Sequence, residues 1–374
     1  MIQQQRLLQT ILDLVQLDSE SRQERAVADY AADKLKALGY EVKEDEAGAA
    51  IGGTAGNVIA YHPGTGTGNC VLFCAHMDTV APGKGVKPIV EDGIVRSDGT
   101  TVLGGDDKAG IAAILEAAQS LQEDGTAHGP IQIVFTVAEE VGLLGAKHLD
   151  LAKMHPVDAA FFFDSDGMPD QICVASPYHI DLTAVFHGKA SHAGVEPEKG
   201  ISAIQMAAKA IAAMELGRLD EETTANIGIV QGGTATNVVA GETTIHGEAR
   251  SLKKAKVEAQ IAHMKQCCED AAAQAGGTVE VQIEECYAAI DLDENSTTVQ
   301  LAKKAVQKLG MTPALVKSGG GSDANVFCGK GIPATNIGCG MNKVHSVEEY
   351  LVLAEVKAAA EFIVAVLEEA SKGA

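Results

Sequence analysis

Basic side chains are scarce in this chain of 374 residues. Lys and Arg together number 29 against 51 Asp and Glu, which gives a formal net charge of −22. Nucleic acids and anionic membranes bind basic surfaces, so neither is expected as a main partner. No segment reaches the roughly 18 consecutive apolar residues of a membrane span, and the amphipathic start lacks the apolar stretch of a signal peptide. The sequence therefore predicts a soluble protein of the cytoplasm.

Cysteine pairs of the Cys-x-x-Cys type are also absent. Eight cysteines in a chain of this length do not make a disulfide scaffold, and a reducing compartment suits them. Cys70 and Cys74 lie in an apolar run, and the adjacent Cys267 and Cys268 lie in a predicted helix. We expect these thiols to be buried structural side chains rather than redox groups.

The chain does contain a regular alternation of helical and strand-like segments. Its hydrophobic content of 46% and its length predict a folded protein with two domains. Residues 1–177 and 289–374 are predicted to form an α/β domain with a mixed sheet, in two parts. Residues 178–288 predict an α+β sandwich inserted between those parts. A last helix is expected over residues 347–369.

Short polar motifs follow several of the apolar, strand-like runs. Sites in open α/β sheets are built at the edge where strands end. Imidazoles and carboxylates suit zinc, manganese or cobalt, and a shared carboxylate can hold two such ions. The set predicts a two-metal hydrolase site: His76-Met77-Asp78, Gly105-Asp106-Asp107-Lys108, Ala138-Glu139-Glu140, Asp164-Ser165-Asp166 and Val344-His345-Ser346.

Taken alone, the first two motifs also have ordinary explanations. His76 and Asp78 are two residues apart, so both point the same way from a strand, which suits a metal-ligating imidazole held by a carboxylate. An isolated pair of this kind is more often a solvated strand end. Asp106 could simply cap a helix. The glycine-rich approach over residues 97–105 favours a binding role, because it brings backbone close to another group.

The remaining acidic motifs place carboxylates where they need partners. Glu139 and Glu140 are adjacent, and their charges repel unless a cation neutralises one of them. One is expected to bind metal while the other stays free as a base. Asp164 ends a strand and needs a partner at that position, with Asp166 as its rival for the same role.

In chain order the motifs resemble those of the co-catalytic zinc exopeptidases. This family includes peptidase T, carboxypeptidase G-type enzymes and acylamino-acid deacylases, and the chain is most similar to peptidase T. The shared pattern is His-x-Asp, Gly-x-Asp-Asp-Lys-x-Gly, Glu-Glu, Asp, Ser-His-x-Gly and His-Ser, and it covers nearly the whole chain. The resemblance implies a metal-dependent exopeptidase acting on short peptides. The insertion at 178–288 would be its lid, through whose strands two copies could pair as a homodimer.

The resemblance also assigns roles residue by residue. Asp106 would bridge two divalent ions, zinc first and cobalt or manganese as alternatives. His76 and Asp164 would complete one metal site, and Glu140 and His345 the other.

Further residues take roles in catalysis and substrate binding through the same resemblance. Asp78 would hold the ring of His76, Glu139 would be the general base, and His192 would act on the transition state. The residues expected to hold substrate are Arg250, Asn237, Gly320 and Ser322.

Two other functions remain open from the sequence. One keeps the metal chemistry but removes an acyl group from an N-acyl amino acid. The other is a non-catalytic, metal-stabilised binding protein. An unligated Glu139 beside a ligating Glu140 argues against the second, because a structural metal site has no use for a free base.

Overall fold

The computed structural model describes residues 1–372, which form two compact units. The first unit comprises Met1–Ala175, Ile290–Ser318 and the described residues from Ser322 onward. The second comprises Ser176–Ala289 and Gly319–Gly321. Each unit has its own hydrophobic core.

The first part of the chain alternates helices with strands. The helices are α1 (Gln4–Val15), α2 (Arg25–Ala37), α3 (Ala47–Ile51), α4 (Gly105–Asp124) and α5 (Leu144–His148). The strands are β1 (Glu41–Glu44), β2 (Val58–His62), β3 (Val71–His76), β4 (Ile89–Glu91), β5 (Ile94–Arg96), β6 (Ile131–Thr136), β7 (Ala159–Asp166) and β8 (Gln171–Ser176). Asp92 and Gly93, with φ of 51° and 79°, form the tight turn between β4 and β5.

The second unit is an antiparallel sheet that packs against two helices. Its strands are β9 (Tyr178–His187), β10 (Gly217–Arg218), β11 (Thr223–Gly232), β12 (Glu242–Ser251) and β13 (Thr278–Tyr287), in the order β10-β11-β12-β9-β13. The helices are α6 (Ala203–Ala213) and α7 (Lys254–Ala275). Leu182 and Phe186 lie on the same face of β9 and are buried in the core that the strand shares with the helices. Cys267 and Cys268 lie in the same core, which confirms their structural interpretation.

The chain then returns to the first unit. The elements of this part are β14 (Ile290–Asp291), α8 (Thr297–Lys308), β15 (Ala314–Lys317), α9 (Asp323–Gly329), β16 (Ala334–Asn342), β17 (Tyr350–Val352) and α10 (Leu353–Ala370). The prediction of a helix from residue 347 is wrong at its start. Tyr350–Val352 pairs with β5 instead, and this pairing buries Leu351 opposite Val95. The segment also pairs with β16, but β5 is distant in sequence, so local periodicity did not reveal the strand.

The large sheet of the first unit is mixed, as predicted. Its main path is β1-β2-β6-β3-β7-β16-β17-β5-β4, and β8 joins it by pairing with β14, β15 and β16. The neighbours β6, β3, β7 and β16 are parallel, so their carboxyl ends meet at one edge. Every residue of β3 and β6 is buried, as expected of strands covered on both faces. Within the described residues, none of the helices is long and apolar enough to cross a membrane.

Candidate active site

The edge where the four parallel strands end carries most of the predicted metal ligands. His76 is the last residue of β3, Glu140 follows β6, Asp164 lies near the end of β7, and His345 follows β16. Asp106 reaches the same place from the first turn of α4. Parallel pairing therefore gathers side chains from four separate motifs.

The carboxylate of Asp106 faces two imidazoles, one with each oxygen. Its Oδ1 lies 3.0 Å from His76 Nε2, and its Oδ2 lies 3.2 Å from His345 Nε2. His345 Nε2 is also 2.9 Å from Glu140 Oε2. The ligand atoms of His76, Asp106 and Glu140 all lie within 4.8 Å of one another, close enough to hold a metal ion.

The site concentrates negative charge in a buried place. Burial and repulsion by Asp164 raise the pKa of Glu139 well above its usual value, and burial and repulsion by Asp106 do the same to Asp164. Hydrogen bonds with Asp106 and then Glu140 raise the pKa of His345 to about 10. This field favours positive charge, and a donor set of imidazoles and carboxylates fits divalent metal ions.

Asp78 holds the turn that carries the two glutamates. Its Oδ1 accepts the backbone N–H of Glu139 at 2.9 Å, and its Oδ2 accepts that of Glu140 at 3.2 Å and the hydroxyl of Ser21 at 2.7 Å. The ring of His76 donates from Nδ1 to the backbone carbonyl of Asp78 at 3.0 Å, while the carboxylate Oδ1 is 3.5 Å away. The residue thus contacts the ring mainly through its backbone.

The start of α4 is fixed by carboxylates other than Asp106. Glu349 accepts the N–H groups of Gly104 at 2.8 Å and Asp106 at 2.9 Å. Asp107 Oδ1 accepts the N–H of Gly110 at 3.1 Å, and a Cβ at Gly110 would lie only 2.4 Å from that oxygen. Capping is therefore done by Asp107 and Glu349, and the side chain of Asp106 is left to the imidazoles.

Comparison with known proteins agrees with this geometry. A model described as Peptidase family M20/M25/M40 matches residues 72–369. The chain belongs to this family. The prediction of a metal-dependent exopeptidase resembling peptidase T is confirmed, and the enzyme is a hydrolase of peptide bonds.

Several known proteins are similar to this M20/M25/M40 member over most or all of its length. The structure of aminopeptidase PepT from Bacillus cereus is 45% identical with a TM-score of 0.93, covering 99% of both chains. The structure of a tripeptidase from Staphylococcus aureus is 39% identical with a TM-score of 0.95, covering 100% of both. Peptidase T from Vibrio cholerae is 30% identical over 339 residues, which are 79% of this chain and 80% of that protein.

Two of the predicted residues of this M20/M25/M40 member lie on neighbouring segments of the second unit. His192 forms an isolated bridge with Val238, and the N–H of Ala193 donates to the carbonyl of Asn237 at 2.9 Å. His192 and Asn237 are both exposed. The Nδ1 atom of His192 accepts the N–H of Gly194 at 3.2 Å.

Arg250 is held by a set of hydrogen bonds within the second unit. Its guanidinium binds both carboxylate oxygens of Glu248, at 3.2 Å and 2.9 Å. It also donates to the hydroxyl of Tyr287 at 3.2 Å and to the carbonyl of Gly319 at 3.4 Å. These contacts orient the group, and the last of them joins it to the loop that contains Gly320.

A second group of potential metal ligands lies in the same unit. His179 Nε2 is 2.8 Å from Asp181 and 3.0 Å from Glu248, and Cys286 completes a set with His179 and Asp181 whose ligand atoms lie within 4.8 Å. Hydrogen bonds with His179 and then Arg250 lower the pKa of Glu248 to about 2. His179 and Arg250 therefore share the carboxylate of Glu248.

Ser322 belongs to the first unit and begins α9. Its hydroxyl accepts the N–H of Ala324 at 3.2 Å and a hydrogen bond from Asn336 at 2.8 Å. Its own N–H donates to the side chain of Asn325 at 3.1 Å. The described groups of Ser322 are thus used in capping, and a role in substrate binding stays a prediction.

Sequence reasoning missed several buried carboxylates around the site. Glu24 and Glu349 are fully buried and each accepts two backbone N–H groups. Asp323 accepts the hydroxyl of Thr136 at 2.6 Å, and burial raises its pKa to about 6. Glu349 lies in the same polar segment as His345, and this proximity to a proposed ligand could have indicated that it belongs near the site. Glu24 stands at an ordinary helix start, where nothing distinguished it.

Proposed function

We propose that this exopeptidase releases the N-terminal residue of short peptides through a site for two divalent metal ions. The observation that carries the proposal is the carboxylate of Asp106, whose two oxygens face the imidazoles of His76 and His345 at 3.0 Å and 3.2 Å. A carboxylate shared in this way is the usual bridge of a two-metal site.

The proposed ligands form two sets around that bridge. His76 and Asp164 complete one set, and Glu140 and His345 complete the other. Asp164, which is less exposed than its rival Asp166, is the proposed ligand of the two. Zinc is the proposed metal, and cobalt or manganese would suit the same ligands. Bound there, the ions would polarise the scissile carbonyl and lower the pKa of a water molecule to about 7.

Glu139 is the proposed general base. Its neighbour Glu140 contacts His345 at 2.9 Å and belongs to the proposed ligand set. Glu139 is held by Asp78 through its backbone N–H, and its side chain is not one of the proposed ligands. The Glu139 carboxylate would accept a proton from the attacking water and pass it to the leaving amine. We assign stabilisation of the transition state to His192.

Three of the relatives are named aminopeptidase PepT, tripeptidase and peptidase T, which supports short peptides as substrates. We propose that Arg250, Asn237, Gly320 and Ser322 hold the substrate and that its terminal carboxylate meets the guanidinium. Residues 178–288 would act as the lid and as the surface of a homodimer. The cytoplasm is the proposed location.

A substrate panel tests the proposal. Protein reconstituted separately with zinc, cobalt and manganese is given free tripeptides, dipeptides, C-terminally amidated peptides and N-acyl amino acids. We expect release of the N-terminal residue from free tripeptides or dipeptides. Preference for N-acyl amino acids over every peptide would instead favour the deacylase.

A further inference from the structure

Glu24 is a buried carboxylate that the proposed chemistry does not use. It stands at the N-cap of α2 and its side chain does not cap that helix. Its Oε1 instead accepts the N–H groups of Arg22 at 2.6 Å and Ala138 at 3.1 Å, and its relative exposure is 0%. Its Oε2 is buried without a hydrogen-bond partner, so the polar contacts of this buried carboxylate are the two N–H groups at Oε1.

Both N–H groups belong to residues with left-handed backbone. Arg22 has φ of 73° and Ala138 has φ of 50°. Side chains with a Cβ disfavour this conformation, and it persists only where the surrounding structure holds it. Ala138 follows β6 and immediately precedes Glu139. The conformation that Glu24 holds therefore sets the direction in which the chain enters the glutamate pair.

Two buried carboxylates together hold three consecutive N–H groups of this turn. Glu24 accepts from Ala138, and Asp78 accepts from Glu139 at 2.9 Å and Glu140 at 3.2 Å. Asp78 is itself in contact with His76 at the ligand set. Glu24 lies much earlier in the sequence than this turn. None of the hydrogen bonds described for its side chain goes to a proposed metal ligand.

We propose that Glu24 is a positioning residue for the general base, because its Oε1 holds the left-handed Ala138 that aims Glu139. The inference rests on the proposed function, in which Glu139 accepts the proton. Glu24 contacts the turn only through a backbone N–H group. Its contribution therefore depends on whether its side chain is long enough to bring an acceptor oxygen to that group. Charge is secondary, since a neutral side-chain oxygen of equal reach accepts the same two N–H groups.

The test compares side chains that differ in length and in charge. Glu24→Gln keeps the reach and the acceptor oxygen but loses the charge. Glu24→Asp keeps the charge but is one methylene shorter, and Glu24→Asn is the neutral counterpart of that shortening. We expect kcat of the Gln variant within about threefold of wild type. Both short variants should lose about ten- to a hundredfold in kcat, the cost of misplacing a catalytic group by about 1 Å, with KM and metal content unchanged.

Glu116 supplies a matched control in α4. It is 2% exposed, accepts the N–H of Gln3 at 2.7 Å and pairs with Arg6 at 2.6 Å, away from the glutamate turn. Glu116→Asp should lower thermal stability and leave kcat per metal-loaded molecule unchanged. If Glu24→Asp does not fold, the Asn variant makes the same comparison of length without burying a charge.

The outcomes separate this inference from the proposed function. Wild-type kcat in a folded short variant refutes the positioning role, and so does a Gln variant as impaired as the Asp variant. Glu139→Gln is measured in the same series. If it is inactive while Glu24→Asp retains wild-type kcat, only the positioning role fails. If Glu139→Gln retains its turnover, the assigned base and the positioning role fail together.

Discussion

Replacing Glu139 with Gln should separate catalysis from metal binding and folding. The amide is nearly isosteric but cannot accept a proton, so kcat should fall about 10²- to 10⁴-fold, or about 3 to 5 kcal/mol in activation free energy. The backbone of residue 139 is held by Asp78 at 2.9 Å regardless of the side chain. The contact of Glu140 with His345 at 2.9 Å also remains. Metal content should therefore be unchanged.

Glu139→Gln should lower activity without lowering the stability of the metal-free protein. Burial and repulsion by Asp164 raise the pKa of Glu139 well above its usual value. A carboxyl of this kind favours the fold while protonated, and that stabilisation is lost as the pH rises through the raised pKa. Gln stays neutral, so the variant should resist urea at least as well as wild type at pH 8 in the presence of a chelator.

The assay needs three measurements on each protein: turnover of a free tripeptide, metal content by elemental analysis, and urea unfolding. Glu140→Gln is the matched control, because it makes the same chemical change at the adjacent position but alters a proposed ligand. It should lose metal as well as activity. Near-normal turnover by the Glu139 variant, or a loss of metal as large as that of the control, would refute the reasoning.

Four further predictions concern single residues. Asp106→Ala should lower the content of both metals, whereas His76→Ala should weaken mainly one; a capping role would cost about 1 kcal/mol of stability and leave metal content alone. His192→Ala should lower kcat about 10²- to 10³-fold with KM and metal content nearly unchanged, and a rate within about twofold of wild type would remove its assigned role. Arg250→Ala should lower kcat/KM severalfold for free tripeptides and much less for C-terminally amidated ones, and an equal effect on both contradicts the carboxylate contact. Burial raises the pKa of Glu24 from 4.5 to about 7, so its stabilisation is complete below pH 4.5 and is lost as the pH rises through 7. Between pH 5 and 8 the metal-free wild type should therefore lose on the order of 3 kcal/mol of unfolding free energy that metal-free Glu24→Gln keeps. Urea titrations in which the two proteins change equally with pH contradict the burial argument.

Much of the architecture could be read from local patterns. The apolar runs that became β3 and β6 are buried on both faces, so their composition alone separated them from the amphipathic helices. The Asp92-Gly93 turn is also indicated by local sequence, because few residues accept the positive φ that it needs. The start of α10 is not, since Leu351 is strand through pairing with β16 and with β5, and β5 is distant in sequence.

The sequence by itself determined which side chains were available to bind metal, because imidazoles and carboxylates at strand ends are rare enough to be recognised in order. Only the tertiary structure decided how they meet: Asp106 turns one oxygen to each imidazole because parallel pairing brings β3 and β16 to the same edge through β7. The tertiary structure alone also decided what Glu24, Asp78 and Glu349 hold. Apart from the Ser21 hydroxyl that Asp78 accepts, these partners are backbone N–H groups, which every residue except proline carries. No sequence pattern can therefore indicate which of them a buried carboxylate will accept.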